Sequence, residues 1–126
     1  MMSPAVALWL AAAGAAGTLL RAAANGVALR LFGMAFPWGT LAVNVIGSFA
    51  FGAIYSLARS RGGISTAHEA VILVGLLGGF TTYSSFAFQS VEMLQAGRLV
   101  PAVAYVVGTN VAALAATWAG LRLFGG

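Results

Sequence analysis

Apolar residues run along this chain in four long, nearly charge-free stretches, and short connections separate them. The stretches cover residues 4–31, 38–58, 67–95 and 100–123. A helix needs about 20 apolar residues to cross a bilayer, and each stretch is long enough. None of them shows the strict alternation of a transmembrane β-barrel. The pattern therefore predicts an all-α membrane protein with four transmembrane helices, forming a single integral membrane domain over residues 1–126.

The third stretch departs from the others at its centre. Residues 78–86 read GGFTTYSSF, where a plain membrane anchor would carry Leu, Ile and Val. Paired glycines lower helix propensity by about 1 kcal/mol each, and Ser and Thr compete for backbone hydrogen bonds. The stretch therefore predicts a third helix broken at mid-membrane. Irregular backbone is tolerated at that depth only inside protein or beside a water-filled cavity, so the break indicates an ion or substrate site.

Composition and charge agree with a membrane protein. The chain is 61% hydrophobic and 6% charged, against about 25% charged residues in soluble domains. The net charge of +4 comes from six arginines that stand singly near the ends of the stretches. Scattered arginines are typical of membrane anchoring and argue against nucleic acid as a partner. Without cysteine, the chain forms no disulfide and no thiolate metal site.

The arginines divide evenly between the two sides of a four-helix topology. One side carries Arg59, Arg61 and Arg122, and the other carries Arg21, Arg30 and Arg98. Because the Lys/Arg bias sets membrane orientation, an even division leaves the orientation undetermined. Either one arginine or a partner protein decides it, or copies insert in both orientations and pair as an antiparallel, dual-topology homodimer.

Polar residues recur along one face of each of the last three helices. The second helix carries Thr40, Asn44 and Ser48 at intervals of four, and the fourth carries Tyr105, Thr109 and Thr117. The third contributes the hydroxyls of residues 81–85 and the amide of Gln89. Taken singly, such residues are ordinary interhelical hydrogen bonds worth about 0.6 kcal/mol each. Three polar faces at similar depth favour a pathway through the protein.

The residue types restrict what such a pathway carries. No Asp, Glu, Lys or His lies deep in a predicted helix, which argues against proton relays and cation-coupled transport. Multivalent metals would need His, Cys or carboxylate ligands. Amides, hydroxyls and the positive edges of aromatic rings suit a small, strongly hydrogen-bonding anion that must also leave again. Carbonyl groups exposed at a break over residues 78–82 could hold a hard monovalent cation.

Three segments carry a resemblance to a known family. GGFTTYSSF at residues 78–86 resembles the GGxTTFSTF signature of the Fluc (CrcB) fluoride channels. WGTLAVNVIGS at residues 38–48 resembles their WGTLxVNxxG segment, and GTLLR at residues 17–21 resembles their first-helix GxxxR. The motif order and the four helices match over essentially the whole chain.

The resemblance implies an antiparallel dual-topology homodimer with two fluoride pores, in the lipid bilayer of a prokaryotic inner membrane. It implies passive export of fluoride from the cytoplasm, fluoride resistance, and no enzymatic activity. It also implies a structural Na⁺ at the two-fold axis, bound by the backbone carbonyls of Gly78 and Thr81, and a structural role for Arg21. The implied pore residues are Asn44 as the pore amide, Tyr83 and Phe86 as pore aromatics, and Thr40, Ser48, Ser85, Tyr105 and Thr109 as further polar positions.

The chain departs from the family pattern at a few positions, and two alternatives stay open. Tyr83 stands where Phe is usual, Ser85 where Thr is usual, and Gln89 where some members have Glu. One alternative is a small multidrug-resistance exporter, although such proteins need a first-helix glutamate and residues 1–32 contain no carboxylate. The other is a membrane assembly subunit without a transport role.

Overall fold

The computed structural model describes residues 2–125, and within that range the fold is entirely helical. Helix α1 spans Pro4–Phe32, α2 spans Trp38–Arg61 and α6 spans Leu99–Phe124. The third long helix is composite. It consists of α3 (Thr66–Ala70), a π-helical segment (Val71–Leu77), α4 (Gly78–Phe80) and α5 (Tyr83–Gln95). These four long helices are apolar enough to cross a membrane, which confirms the predicted all-α fold with four membrane-spanning helices.

Helix α2 packs along α6 with almost no space between the two backbones. A Cβ atom on Gly52 would overlap the carbonyl oxygen of Thr117, and one on Gly120 would overlap that of Phe49. Small residues permit such close approach in membrane proteins, where packing rather than the hydrophobic effect holds helices together. Ser56 adds a hydrogen bond across the same interface, donating to the carbonyl of Leu121 at 3.0 Å. Close backbone packing and this hydrogen bond together hold the helix pair.

Helix α1 packs against the composite third helix in the same way. A Cβ atom on Gly17 would overlap the carbonyl of Leu76, and one on Gly79 would stand 2.5 Å from the carbonyl oxygen of Gly14. Gly78, in contrast, would place its Cβ in open space. The two adjacent glycines thus face different surroundings: Gly79 faces α1, and Gly78 faces away from it.

The composite helix leaves the helical conformation after the two glycines and not at them. Gly78 has helical dihedral angles of φ −62° and ψ −37°. Thr81 and Thr82 are extended, with ψ angles of 160° and 114°. The low helix propensity of glycine therefore does not set the position of the irregular residues. Hydrogen bonds made by Thr82 set it, as described below.

Candidate functional site

A polar groove lies between α2, the composite third helix and α6. Its volume is about 370 Å³. Five of the predicted pore residues line it, namely Asn44, Ser48, Tyr83, Phe86 and Thr109, and so do both residues predicted to supply cation-binding carbonyls, Gly78 and Thr81. The groove also includes Asn110 and Thr117 of α6. Residues from three helices that are far apart in sequence are thus brought together.

Asn44 is bonded to the main chain of Thr82 through both ends of its side-chain amide. The Nδ2 group donates to the Thr82 carbonyl at 3.0 Å, and Oδ1 accepts from the Thr82 N–H at 2.8 Å. A helix interrupted in an apolar medium must find other partners for its backbone groups, and this amide supplies two of them. An Asn amide carries two N–H bonds, so one remains for another acceptor. Asn44 therefore supports the interrupted backbone in addition to lining the groove.

The backbone N–H groups that would bond the two predicted cation-binding carbonyls in a continuous helix instead donate to side chains. In a continuous helix the Thr82 N–H would bond Gly78 and the Ser85 N–H would bond Thr81. Here the Thr82 N–H donates to Asn44, and the Ser85 N–H donates to the Thr82 hydroxyl at 3.3 Å, which caps α5. The neighbouring carbonyl of Gly79 accepts from Nε of Arg21 at 3.1 Å. This arrangement leaves the Gly78 and Thr81 carbonyls without their helical donors, so they fit a hard monovalent cation.

Several hydroxyls that line the groove donate their only proton to a nearby oxygen. Ser48 donates to the Asn44 carbonyl at 2.6 Å, Thr81 to the Leu77 carbonyl at 3.0 Å and Thr82 to the Ser85 hydroxyl at 3.0 Å. Ser85, which accepts that bond, keeps its own proton. Sequence spacing places these residues on helix faces but does not show which protons are already engaged.

Thr109 is the exception among the groove hydroxyls. Its side chain is only 5% exposed, and its Oγ1 atom has no hydrogen-bond partner among the described residues. An unpaired buried hydroxyl costs about 1–3 kcal/mol, so such groups are usually paired with protein, water or a ligand. The hydroxyl of Thr109 lies in the wall of the groove. It is a buried donor that no described residue engages and that is therefore available to an occupant of the groove.

Phe86 is the central ring of an aromatic row beside the groove. It is 7% exposed, and its ring centroid lies 5.0 Å from that of Tyr105 and 5.8 Å from that of Tyr83. Tyr105 is fully buried and contacts Phe36 edge to face at 5.3 Å. Aromatic edges carry partial positive charge, which attracts anions. Tyr83 is 80% exposed in the single chain, although it also lines the groove.

A second, smaller cavity adjoins the far end of this aromatic row. Its volume is about 220 Å³, and its polar side chains are Asn25, Thr40 and Gln89. Tyr105 lies between the two cavities: its hydroxyl donates to Oε1 of Gln89 at 2.7 Å, and its ring lies against Phe86. Thr40 and Tyr105 are therefore close to the groove without lining it. Sequence reasoning missed Asn25, because a lone amide in the first stretch belongs to no repeated pattern.

Comparison with known proteins adds the family. Residues 8–121 match the family described as CrcB-like protein, Camphor Resistance (CrcB). The chain belongs to this family. Since the match covers nearly the whole chain, the CrcB assignment applies to all four long helices, and the protein is a multi-pass membrane protein.

Curated relatives of this CrcB protein carry a functional name. A Fluoride-specific ion channel FluC of Shewanella amazonensis is 44% identical over 116 residues, which are 92% of this chain and 93% of that protein. One from Rhizobium leguminosarum is 42% identical over 117 residues, covering 93% and 94%. One from Nitrosococcus oceani is 39% identical over 115 residues, covering 91% and 92%. The predicted family is confirmed, and its named members are channels, in agreement with the prediction that the chain is not an enzyme.

Proposed function

We propose that this CrcB protein is a passive, fluoride-selective channel that lets F⁻ leave the cytoplasm across a prokaryotic inner membrane. One observation carries the proposal: the polar side chains that line the groove are all uncharged, and the buried Thr109 hydroxyl among them has no partner among the described residues. Fluoride is small and accepts hydrogen bonds strongly, so a few neutral donors replace its water without trapping it. The FluC name of the relatives supports the same ion.

Fluoride efflux from liposomes that contain the purified protein tests this function. We expect fluoride to leave at least a hundredfold faster than chloride, because uncharged hydroxyl and amide donors favour the smaller and more basic anion (on the order of 3 kcal/mol). Equal efflux of the two halides would contradict the proposal.

Thr109→Val links this activity to the groove. Valine has the same shape without the hydroxyl, so we expect fluoride efflux to fall about tenfold, the effect of losing roughly one hydrogen bond. The melting temperature should stay the same or rise, because an unpaired buried hydroxyl is removed. Thr117→Val is the matched control: Thr117 lines the same groove, but its hydroxyl already bonds the Ala113 carbonyl at 3.0 Å. Equal loss in both variants would argue against Thr109 as the free donor.

We also propose that two copies pair antiparallel and that the irregular residues Thr81 and Thr82 lie at mid-membrane. Asn110 and Tyr83 line the groove but are exposed in the single chain. An amide and irregular backbone facing lipid are unfavourable, so a second copy covering this face satisfies them. The even division of the arginines supports insertion of copies in both orientations.

Changing the charge balance tests dual topology. A reporter on the C-terminus should give signal from both sides of the membrane for the wild type. Ile64→Lys with Ala67→Lys, both at exposed positions beside the middle connection, should retain that connection in the cytoplasm and reduce efflux, because opposite partners become scarce. Co-expression with Met34→Lys/Ala96→Lys, which biases insertion the other way, should restore efflux. A wild-type reporter confined to one side would contradict dual topology.

We propose further that the carbonyls of Gly78 and Thr81 bind a structural Na⁺ between the two copies. Support comes from their lost helical donors and from the open space beside Gly78, on the side away from α1. Carbonyl oxygens of unwound helices are suited to Na⁺. The cation would hold together two copies that otherwise bury four unpaired carbonyls.

A further inference from the structure

The second cavity brings together three uncharged polar side chains from three different helices. Asn25 comes from α1, Thr40 from α2 and Gln89 from α5, and no charged residue lines the cavity. We call this cavity the Asn25 pocket. A volume of about 220 Å³ accommodates a small ion with several waters. The pocket therefore has room and polar groups for a ligand that needs hydrogen bonds and no countercharge.

The orientation of the Gln89 amide makes the pocket suitable for a ligand that accepts hydrogen bonds. Its Oε1 atom accepts the Tyr105 hydroxyl at 2.7 Å, which fixes the oxygen toward Tyr105. The Nε2 group of the same amide then points the other way with two N–H bonds to donate. Since Gln89 also lines the Asn25 pocket, this geometry favours an electron-rich guest, as an anion is. The start of α2 at Trp38 adds the partial positive charge of a helix N-terminus to the same wall.

Asn25 lies against the start of α2 at this pocket. Its side chain fills the space that a Cβ on Gly39 would occupy, so the glycine permits the amide to lie against the α2 backbone. The atom of Asn25 nearest to that space is Oδ1, so the Nδ2 group, which carries both N–H bonds, is the end of the amide left to donate to a guest.

We propose that Asn25 donates to fluoride in this pocket and sets the concentration at which the pore fills. This inference rests on the proposed fluoride function. The pocket and the groove lie on opposite sides of the same contact, because Gln89 bonds Tyr105 and the Tyr105 ring lies against Phe86. Asn25 thus acts as an ion-binding residue in a pocket beside the groove. It lies outside the three segments on which the family resemblance rests.

The fluoride dependence of efflux tests this role. We expect Asn25→Ala to raise the half-saturating fluoride concentration about threefold, because one hydrogen-bond donor to the entering ion is lost. The maximal rate should stay within about twofold of the wild-type rate, because the later steps do not use this donor. Asn25→Asp has the same shape, so it keeps the packing against Gly39 while placing a carboxylate beside the ion. We expect it to raise the half-saturating concentration about tenfold, a penalty of roughly 1.4 kcal/mol. A structural role alone would leave the aspartate close to wild type.

Gly26→Asp is the matched control, because it adds the same charge one residue away where a Cβ meets no atom within 4 Å. We expect its fluoride dependence to match that of the wild type. The inference is overturned if both Asn25 variants show the wild-type half-saturating concentration, or if Gly26→Asp shifts it as much as Asn25→Asp does. A wild-type protein that passes no fluoride would instead overturn the proposed function, so the two failures are distinguishable.

Discussion

Asn44→Ala should abolish fluoride efflux and lower the free energy of unfolding by roughly 2–4 kcal/mol. The side chain makes two hydrogen bonds to the backbone of Thr82, at 3.0 Å and 2.8 Å, across 38 residues of sequence. Alanine leaves a part-buried N–H and a part-buried C=O of Thr82 without partners, and an unpaired group costs more than a hydrogen bond contributes. The Thr82 N–H then has a helical acceptor nearby in the Gly78 carbonyl.

We expect the loss of activity because the Asn44 amide and the Gly78 carbonyl compete for the Thr82 N–H. Once the Thr82 N–H is free, bonding to Gly78 would extend the helix, move the Thr109-facing wall of the groove and occupy a carbonyl that we assign to the cation. Efflux from liposomes and thermal unfolding in detergent measure the two effects. The matched control is Asn110→Ala, a groove amide whose Nδ2 donates to Val106 of its own helix at 2.7 Å. We expect it to cost less than about 1 kcal/mol, as a single exposed bond does. Wild-type efflux from Asn44→Ala would contradict this role for Asn44.

Gly79→Val should prevent stable folding, at a cost of about 3 kcal/mol through overpacking. A Cβ at this position would stand 2.5 Å from the carbonyl oxygen and 3.2 Å from the α-carbon of Gly14. The atoms that it would meet are all backbone atoms of Gly14, so no flexible side chain can move aside. The displacement of α1 would also break the bond from Arg21 to the Gly79 carbonyl. Both effects act on the same helix pair.

Gly26→Val isolates the steric effect of Gly79→Val. It places the same β-branched side chain in a helix where a Cβ meets nothing within 4 Å, and valine has a higher helix propensity than glycine, so we expect no loss of stability. Size-exclusion profiles and melting temperatures of the two variants in detergent make the comparison. If Gly79→Val folds with the melting temperature of Gly26→Val, close packing at Gly79 is not what holds α1 to the third helix.

The sequence by itself determined the four helices, because a bilayer leaves a long apolar segment no other way to bond its backbone. The extents agree closely: the stretch predicted over residues 4–31 is the helix Pro4–Phe32, and that over 100–123 is Leu99–Phe124. Spacing of four residues also placed Asn44 and Ser48 on one face of α2, and both line the groove. Local rules suffice here, because helix periodicity depends only on near neighbours in the chain.

Only the tertiary structure decided how the polar residues are used. The irregular backbone lies at Thr81 and Thr82 and not at Gly78 and Gly79, because Asn44 on another helix takes the Thr82 N–H. The hydroxyl left without a partner is that of Thr109, whereas Ser48 in the same groove donates to its own helix. Asn25 lines a pocket only because Thr40 of α2 and Gln89 of α5 lie beside it in space. Each of these outcomes depends on which helices are neighbours in space, and a hydrogen bond between residues 38 positions apart leaves no periodic trace in the sequence.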